Sequence, residues 1–200
     1  KIALFCNVKP EAVIEAADAS TIYEVPVLMM REGLDTTVLK KINLTGSKQP
    51  DLSHWKLFLD KLKYPKAKVN VGLIGKYIEL QDAYKSILES FIHAGAVNEC
   101  QVQVINIHSE YITNENVAEK LVGLDALLVA PGFGHRGVEG KIAAVKFARE
   151  KKLPFFGICL GMQMAAIEFA RNVLGLKGAN STEMNPDTEH PVIDLMDEQK

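Results

Sequence analysis

The sequence predicts an α/β protein built on a parallel sheet flanked by helices, and two observations predict it. From residue 69 onward, short runs rich in Val, Ile, Leu and Phe alternate with helix-length stretches of mixed polarity, the pattern of strands joined by helical crossovers. Parallel strands need such long connections, and the sheet they form is covered on both faces. One junction, Phe155 Phe156 Gly157 Ile158 Cys159 Leu160 Gly161 Met162 Gln163, ends a strand in a tight corner, with a glycine at each second neighbour of a cysteine.

In chain order, residues 1–8 open abruptly on an apolar run with no cap or turn before it, which reads as a strand belonging to a protein that begins earlier. Residues 10–17 read as a helix with Pro10 in its first turn, and 26–31 as another stopped by Gly33. Tyr23, Val25, Leu28, Met29 and Met30 form an apolar cluster too large for this segment to bury alone. It is expected either at a subunit interface or against more of the same domain. Residues 45–51, with Gly46, Ser47, Lys48 and Pro50, are the clearest compositional break and read as a linker. Residues 52–62 then form an amphipathic helix, with Trp55, Leu59 and Leu62 on one face, that crosses the boundary and ends before Pro65.

The alternation that follows assigns strands to residues 69–74, 101–107, 126–130 and 154–158, the last a buried one. Helices are assigned to 82–94, 114–121, 139–150 and 162–172. Ligands of such sheets bind at the carboxyl ends of the strands. Three loops converge there: residues 75–80, residues 131–137 and the cysteine corner.

Composition narrows the function classes. A net charge of -2 and a pI near 6.2, with no basic stripe or like-charge block, point away from nucleic acid and membrane surfaces. With no signal-peptide pattern or membrane-length apolar run, the expected location is cytoplasmic. Cys6, Cys100 and Cys159 are odd in number and lack paired or metal-ligand spacing, so neither a disulfide nor a metal site is expected.

The cysteine corner reads as a nucleophile elbow, the turn that G-x-S-x-G makes for serine. Gly161 lets the helix pack close to the strand, and the helix's first turn, residues 160–163, offers unpaired N–H groups and a positive dipole end to a thiolate or an oxyanion. A free cysteine can also be a small core residue, but such a residue does not need glycines on both sides.

The residues 157–163 resemble the nucleophile motif of the triad-type glutamine amidotransferases, and Asn180 Ser181 Thr182 Glu183 narrows the resemblance to the CTP synthase family within them. Residues 1–8, 20–26, 72–86 and 137–141 resemble the same family in the same order. The resemblance implies the tail of a P-loop-like α/β synthetase domain over residues 1–44 and an interdomain linker with a helix over 45–66. An amidotransferase domain, incomplete at its carboxyl end, would cover 67–200. It implies a ligase of pyrimidine biosynthesis: ATP-dependent amination of UTP to CTP with ammonia released from glutamine, in a homotetramer. Mg2+ would enter with ATP, bound mainly by residues outside this chain, GTP would act as allosteric activator, and CTP would be product and inhibitor.

By the same resemblance Cys159 is the nucleophile, and the backbone N–H groups of Leu160 and Gly132 form the oxyanion hole. Gly132, Leu160, Gly161, Met162, Gln163 and Glu183 bind glutamine. Lys1 contacts UTP or CTP, and Ala17, Asp18 and Ala19 lie near ATP. Arg136 and Gly137 belong to a lid linked to GTP. The triad histidine and glutamate would lie beyond residue 200, and none of the five histidines, His190 included, is assigned to that role. Where the family shows Pro-Gly-Gly-Phe-Gly, this chain has Ala130 Pro131 Gly132 Phe133 Gly134. From the residues alone, Lys1 is equally a solvated terminal lysine, residues 180–183 a helix capping box, and Arg136 a surface cation. Two other activities stay open at this point: hydrolysis of another amide or γ-glutamyl compound, and a non-catalytic assembly role.

Overall fold

The computed structural model describes residues 1–44, 48, 50–80, 82–196 and 198. It separates into two compact units, Lys1–Tyr64 and Pro65–Lys200.

In the second unit, a four-stranded sheet runs in the order β2-β1-β3-β4, every pair parallel. The strands are β1 (Ala67–Gly75), β2 (Cys100–His108), β3 (Ala126–Val129) and β4 (Phe155–Gly157). β1 is the central strand, in register with β2 from Ala67↔Cys100 to Gly75↔His108 and with β3 from Val71↔Ala126 to Ile74↔Val129. The chain steps from β1 to one side for β2 and to the other for β3, so its winding reverses between β1 and β3, where such sheets open a crevice.

Alternation along the strands divides the core in two. Ile74, Leu127 and Val129 face α6 (Val117–Lys120), α7 (Val138–Lys151) and α8 (Leu160–Asn172), packing with Val117, Ile142, Val145, Met164 and Ile167. Val71, Leu73, Leu128 and Ala130 face the other way, toward Tyr84, Ile87, Leu88 and Phe91 of α5 (Lys85–Val97) and its cap. Arg149 and Glu168 join α7 to α8 through two parallel bonds of 3.0 and 2.8 Å, the bidentate geometry that suits guanidinium and carboxylate.

Several expectations are corrected. The strand expected over 154–158 is not fully buried: Phe156 is 63% exposed. It pairs with Leu128 and so points to the α5 side, where α5 covers β1 and β2 but not β4. The helix expected over 114–121 shrinks to α6, because Asn116 Oδ1 accepts the Thr113 N–H at 2.8 Å and Thr113 Oγ1 accepts the Asn116 N–H at 3.4 Å. These reciprocal side-chain bonds hold a turn ahead of the helix. The helix expected over 82–94 starts at Lys85 instead, after a turn closed by the Lys85 N–H on Asp82 O. An unexpected pair, β5 (Asn180–Ser181) and β6 (Pro191–Ile193), forms a short parallel sheet beyond α8.

The first unit contains α1 (Ile2–Phe5), α2 (Val25–Arg31), α3 (Leu34–Lys41) and α4 (Ser53–Lys63). Gly33, at φ 75°, separates α2 from α3. The apolar run 1–8 is one helical turn and not a strand, with Phe5 N–H on Lys1 O and Cys6 N–H on Ile2 O. A strand needs a partner for its backbone, whereas a helical turn satisfies itself. The helix expected over 10–17 is a 3-10 turn at Pro10–Ala12 that ends in extended backbone at Val13. α4 packs Trp55 and Phe58 on Tyr23, with centroids 6.1 and 5.4 Å apart, and the Trp55 Nε1–H donates to Tyr23 O at 2.8 Å. Val27 and Leu59 are the buried hydrophobic residues described in this unit, while Ile2, Leu4 and Phe5 stay exposed. The expected linker 45–51 lies largely on residues outside the described ones. Among the described residues, no helix is long and apolar enough to cross a membrane, and no group of three or more His, Cys, Asp or Glu could hold a metal ion.

Candidate active site

β4 is only three residues long because the chain must turn at once. The Ile158 N–H makes a last sheet bond to Val129 O at 3.1 Å, and then Cys159 takes φ 51° and ψ -109°. That is a conformation which a residue with a Cβ adopts only under constraint. The constraint comes from both sides. The Gly161 N–H closes the turn on Ile158 O at 2.8 Å, and the Gln163 N–H bonds Cys159 O at 3.1 Å as α8 begins. A Cβ on Gly157 would stand 2.6 Å from the Gly161 and Met162 backbone, so only glycine permits so sharp a return. Cys159 is thereby the N-cap of α8, and its thiol is exposed and free.

The loop after β3 comes alongside. A Cβ on Gly132 would lie 3.7 Å from Leu160 Cδ2 and 3.2 Å from Lys76 Cε, so Gly132, Leu160 and Lys76 share one small space at the carboxyl ends of β3, β4 and β1. Leu160 is the first residue of α8, where an N–H has no intrahelical acceptor. Gln163 and Glu183, twenty positions apart in sequence, line one open pocket of about 440 Å³ together with Ser181, Thr182, Ile193, Asp194 and Leu195. Residues 180–183 do not start a helix: Ser181 Oγ accepts the Glu183 N–H at 3.2 Å in a turn after β5.

Arg136 and Gly137 lead into α7. Gly137 is its N-cap at φ 73°, while Arg136 pairs with Glu110 at 2.8 Å and lies 5.9 Å from the Tyr77 ring. The sequence expectations for Lys1, Ala17, Asp18 and Ala19 fall in the first unit. Lys1 is the exposed N-cap of α1, and residues 17–19 are irregular backbone, with Ala17 and Asp18 exposed.

Residues 79–197 match the family model for glutamine amidotransferase class-I. The chain belongs to that family. Residues 1–44 match a second model, the CTP synthase N-terminus. Among similar proteins, the CTP synthase of Flavobacterium johnsoniae is 65% identical over 200 residues, covering 100% of this chain and 37% of the relative. The CTP synthase of Methanocaldococcus jannaschii is 55% identical over 206 residues, covering 100% of this chain and 38% of the relative. Among solved structures, the glutaminase domain of Trypanosoma brucei CTPS with bound acivicin is 38% identical with a TM-score of 0.63. That match covers 66% of this chain and 52% of the other. The chain thus spans 37% of the length of a relative such as the first.

Sequence reasoning missed two residues beside the elbow. Lys76, after β1, is 4% exposed, and Lys141, in the first turn of α7, is 0% exposed. The Lys141 Nζ donates to Ala130 O at 2.8 Å. Burial, together with the nearby Lys76 ammonium, pushes Lys141 down to about 8, partly offset by Cys159. The Tyr84 hydroxyl accepts the N–H groups of Lys76 and Tyr77 at 3.2 and 3.3 Å and so holds the loop that carries Lys76. A signal for Lys141 was present: it occupies a core position among Val138, Ile142 and Val145, where a lysine is out of place.

Proposed function

We propose that this chain is the amidotransferase-bearing part of a CTP synthase, and that Cys159 releases ammonia from glutamine for the amination of UTP. The constrained corner at Cys159, with Gly132 and Leu160 beside it, is the observation that carries the reading. The Cys159 sulfur bonds to the side-chain amide carbon of glutamine, and the carbonyl electron pair moves onto oxygen, facing the N–H groups of Leu160 and Gly132. Collapse of this adduct breaks the C–N bond, ammonia leaves with a proton delivered by a base outside this chain, and water then splits the thioester to glutamate. The α-ammonium of glutamine pairs with Glu183 while Gln163 and the backbone of Gly161 and Met162 orient the substrate.

In this reading residues 1–44 complete a synthetase domain, residues 45–66 join the two domains, and 67–200 belong to the amidotransferase domain. In the synthetase domain the UTP 4-oxygen takes the γ-phosphoryl group of ATP and ammonia displaces phosphate. Lys1 approaches UTP or CTP, and Ala17, Asp18 and Ala19 lie near ATP. By the family resemblance Mg2+ would enter with ATP, bound mainly by residues outside this chain. GTP would act through the lid at Arg136 and Gly137. The protein would be a cytoplasmic homotetramer, its apolar α1 and α2 surfaces consistent with further burial.

The test is an intact mass spectrum of the full-length protein after incubation with a diazo-ketone glutamine analogue. One label at Cys159, prevented by excess glutamine, is expected. Cys159→Ala should then lose glutamine-dependent CTP formation and keep formation from ammonia. Labelling by small electrophiles but not by the glutamine analogue would favour hydrolysis of another amide instead.

A further inference from the structure

Lys141 is the one fully buried cation on α7, in a helix whose neighbouring core positions are Val138, Ile142 and Val145. Burying an ammonium is costly when an apolar side chain would fill the same space. Its Nζ meets Ala130 O at 2.8 Å, where β3 has just ended. The Ala130 N–H is still in the sheet, on Ile74 O at 2.9 Å, and the chain then leaves through Pro131 to Gly132. A neutral donor would satisfy that carbonyl; what a lysine adds is charge. The ionisable groups that act on this charge are Lys76, beyond the end of β1, and Cys159, ahead of α8. Of the charged groups on the other elements packed against α7, Glu110 pairs with Arg136, Glu168 with Arg149 and Arg171 with Glu139, while Glu119 and Lys120 of α6 are exposed to solvent. A Cβ on Gly132 would lie 3.7 Å from Lys141 Nζ and equally 3.7 Å from Leu160 Cδ2. The ammonium therefore adjoins the two backbone segments proposed to donate to the oxyanion.

We propose that Lys141 is a positioning residue of the cysteine site, holding the Ala130–Pro131–Gly132 backbone beside Leu160 and supplying a fixed positive charge as negative charge passes from sulfur to the substrate oxygen. This rests on the reading of Cys159 as the glutamine-hydrolysing nucleophile. Lys141 keeps its protons throughout the reaction and forms no bond to substrate; its role is preorganised electrostatics in a buried place. Since it titrates near 8, the charge is present below that pH and is withdrawn above it.

The test compares wild type with Lys141→Met, a substitution close in volume, in the full-length protein. Glutamine hydrolysis by the variant should lose about tenfold or more in kcat while KM stays within about twofold. The wild-type decline above about pH 8 should be absent. Lys141→Arg, a permanent cation, should recover part of the rate and also lack that decline. Urea unfolding checks the fold, and Lys141→Met should be at least as stable as wild type at neutral pH because a buried charge has been removed. Wild-type kcat with an unchanged pH profile in Lys141→Met overturns the proposal, as does a KM rise with kcat intact, which would put Lys141 among the glutamine-binding groups. Absence of glutamine hydrolysis in the wild-type protein overturns the functional reading instead. In that case peptide-resolved alkylation of Cys159 by iodoacetamide decides: a rate at neutral pH about threefold slower or more in Lys141→Met upholds the coupling, and equal rates overturn it.

Discussion

A Cβ added to Gly161 would stand 2.1 Å from the Val129 carbonyl oxygen, so the first turn of α8 rests directly on the end of β3. The contact is backbone against backbone and has no flexible side chain to yield. Gly161→Ala should therefore cost about 3 kcal/mol in urea unfolding, and glutamine-analogue labelling of Cys159 should fall by an order of magnitude or more as the corner opens. A variant with wild-type stability and labelling would show that the helix can slide along the strand without disturbing the thiol.

Cys159 carries backbone strain that its own side chain creates, because φ 51° with ψ -109° crowds a Cβ. Cys159→Gly and Cys159→Ala both remove the proposed nucleophile, and they differ in that crowding. The glycine variant is expected to be the more stable by about 1 kcal/mol, after the greater entropy of an unfolded glycine is counted. Thermal unfolding of the two variants side by side measures the difference.

Glu183 is exposed and lines the pocket with Gln163. Glu183→Gln keeps the shape and removes the charge proposed to pair with the α-ammonium of glutamine. The KM for glutamine should rise about tenfold or more, from the loss of a charge-assisted bond worth about 1.5–3 kcal/mol. Stability should stay within about 0.5 kcal/mol, as for other surface changes. Steady-state kinetics with glutamine, set beside ammonia as nitrogen source, separates the two effects.

Tyr84→Phe removes the acceptor of two backbone N–H groups at the start of the Lys76 loop. The expected cost is about 1–3 kcal/mol at neutral pH. Burial raises the Tyr84 hydroxyl above its ordinary value of 10.0. The unfolded chain therefore gives up this proton first, and wild-type stability is lost as pH rises past about 10 toward the folded value. The phenylalanine variant has no such loss, so the gap between the two proteins should narrow with rising pH in urea titrations run at about pH 7 and 11.

The sheet and its corner were legible because their signals are local and repeated: apolar runs of strand length, helices of ten residues or more, and glycines at a cysteine. The N-terminal unit was less legible for a physical reason. Residues 1–8 carry an apolar run whose state depends on a partner, and with none among the described residues it closes one helical turn on itself. Asn116 shortened an expected helix by bonding back to Thr113, a competition that helix periodicity does not register. Lys76 and Lys141 escaped because lysine is ordinarily a surface residue, and only the crossing of three elements in space brings them beside Gly132. Glu183 was placed near the cysteine by family resemblance, whereas its pocket with Gln163 depends on the β5–β6 pair that no local pattern predicted.

The placement of β1 also governs when the thiol site can come into being. Val71 must find Ala126, fifty-five positions later, and Cys159 is held at the end of β4, which pairs only with β3 among the described strands. Contacts of such long sequence separation make for slow folding. During synthesis the ribosome releases β1, then β2, then β3, and the strained corner can lock only after the central strand has both neighbours. The strained corner at Cys159 is thus a late event, and the chemistry proposed for it waits until the sheet around it is in place.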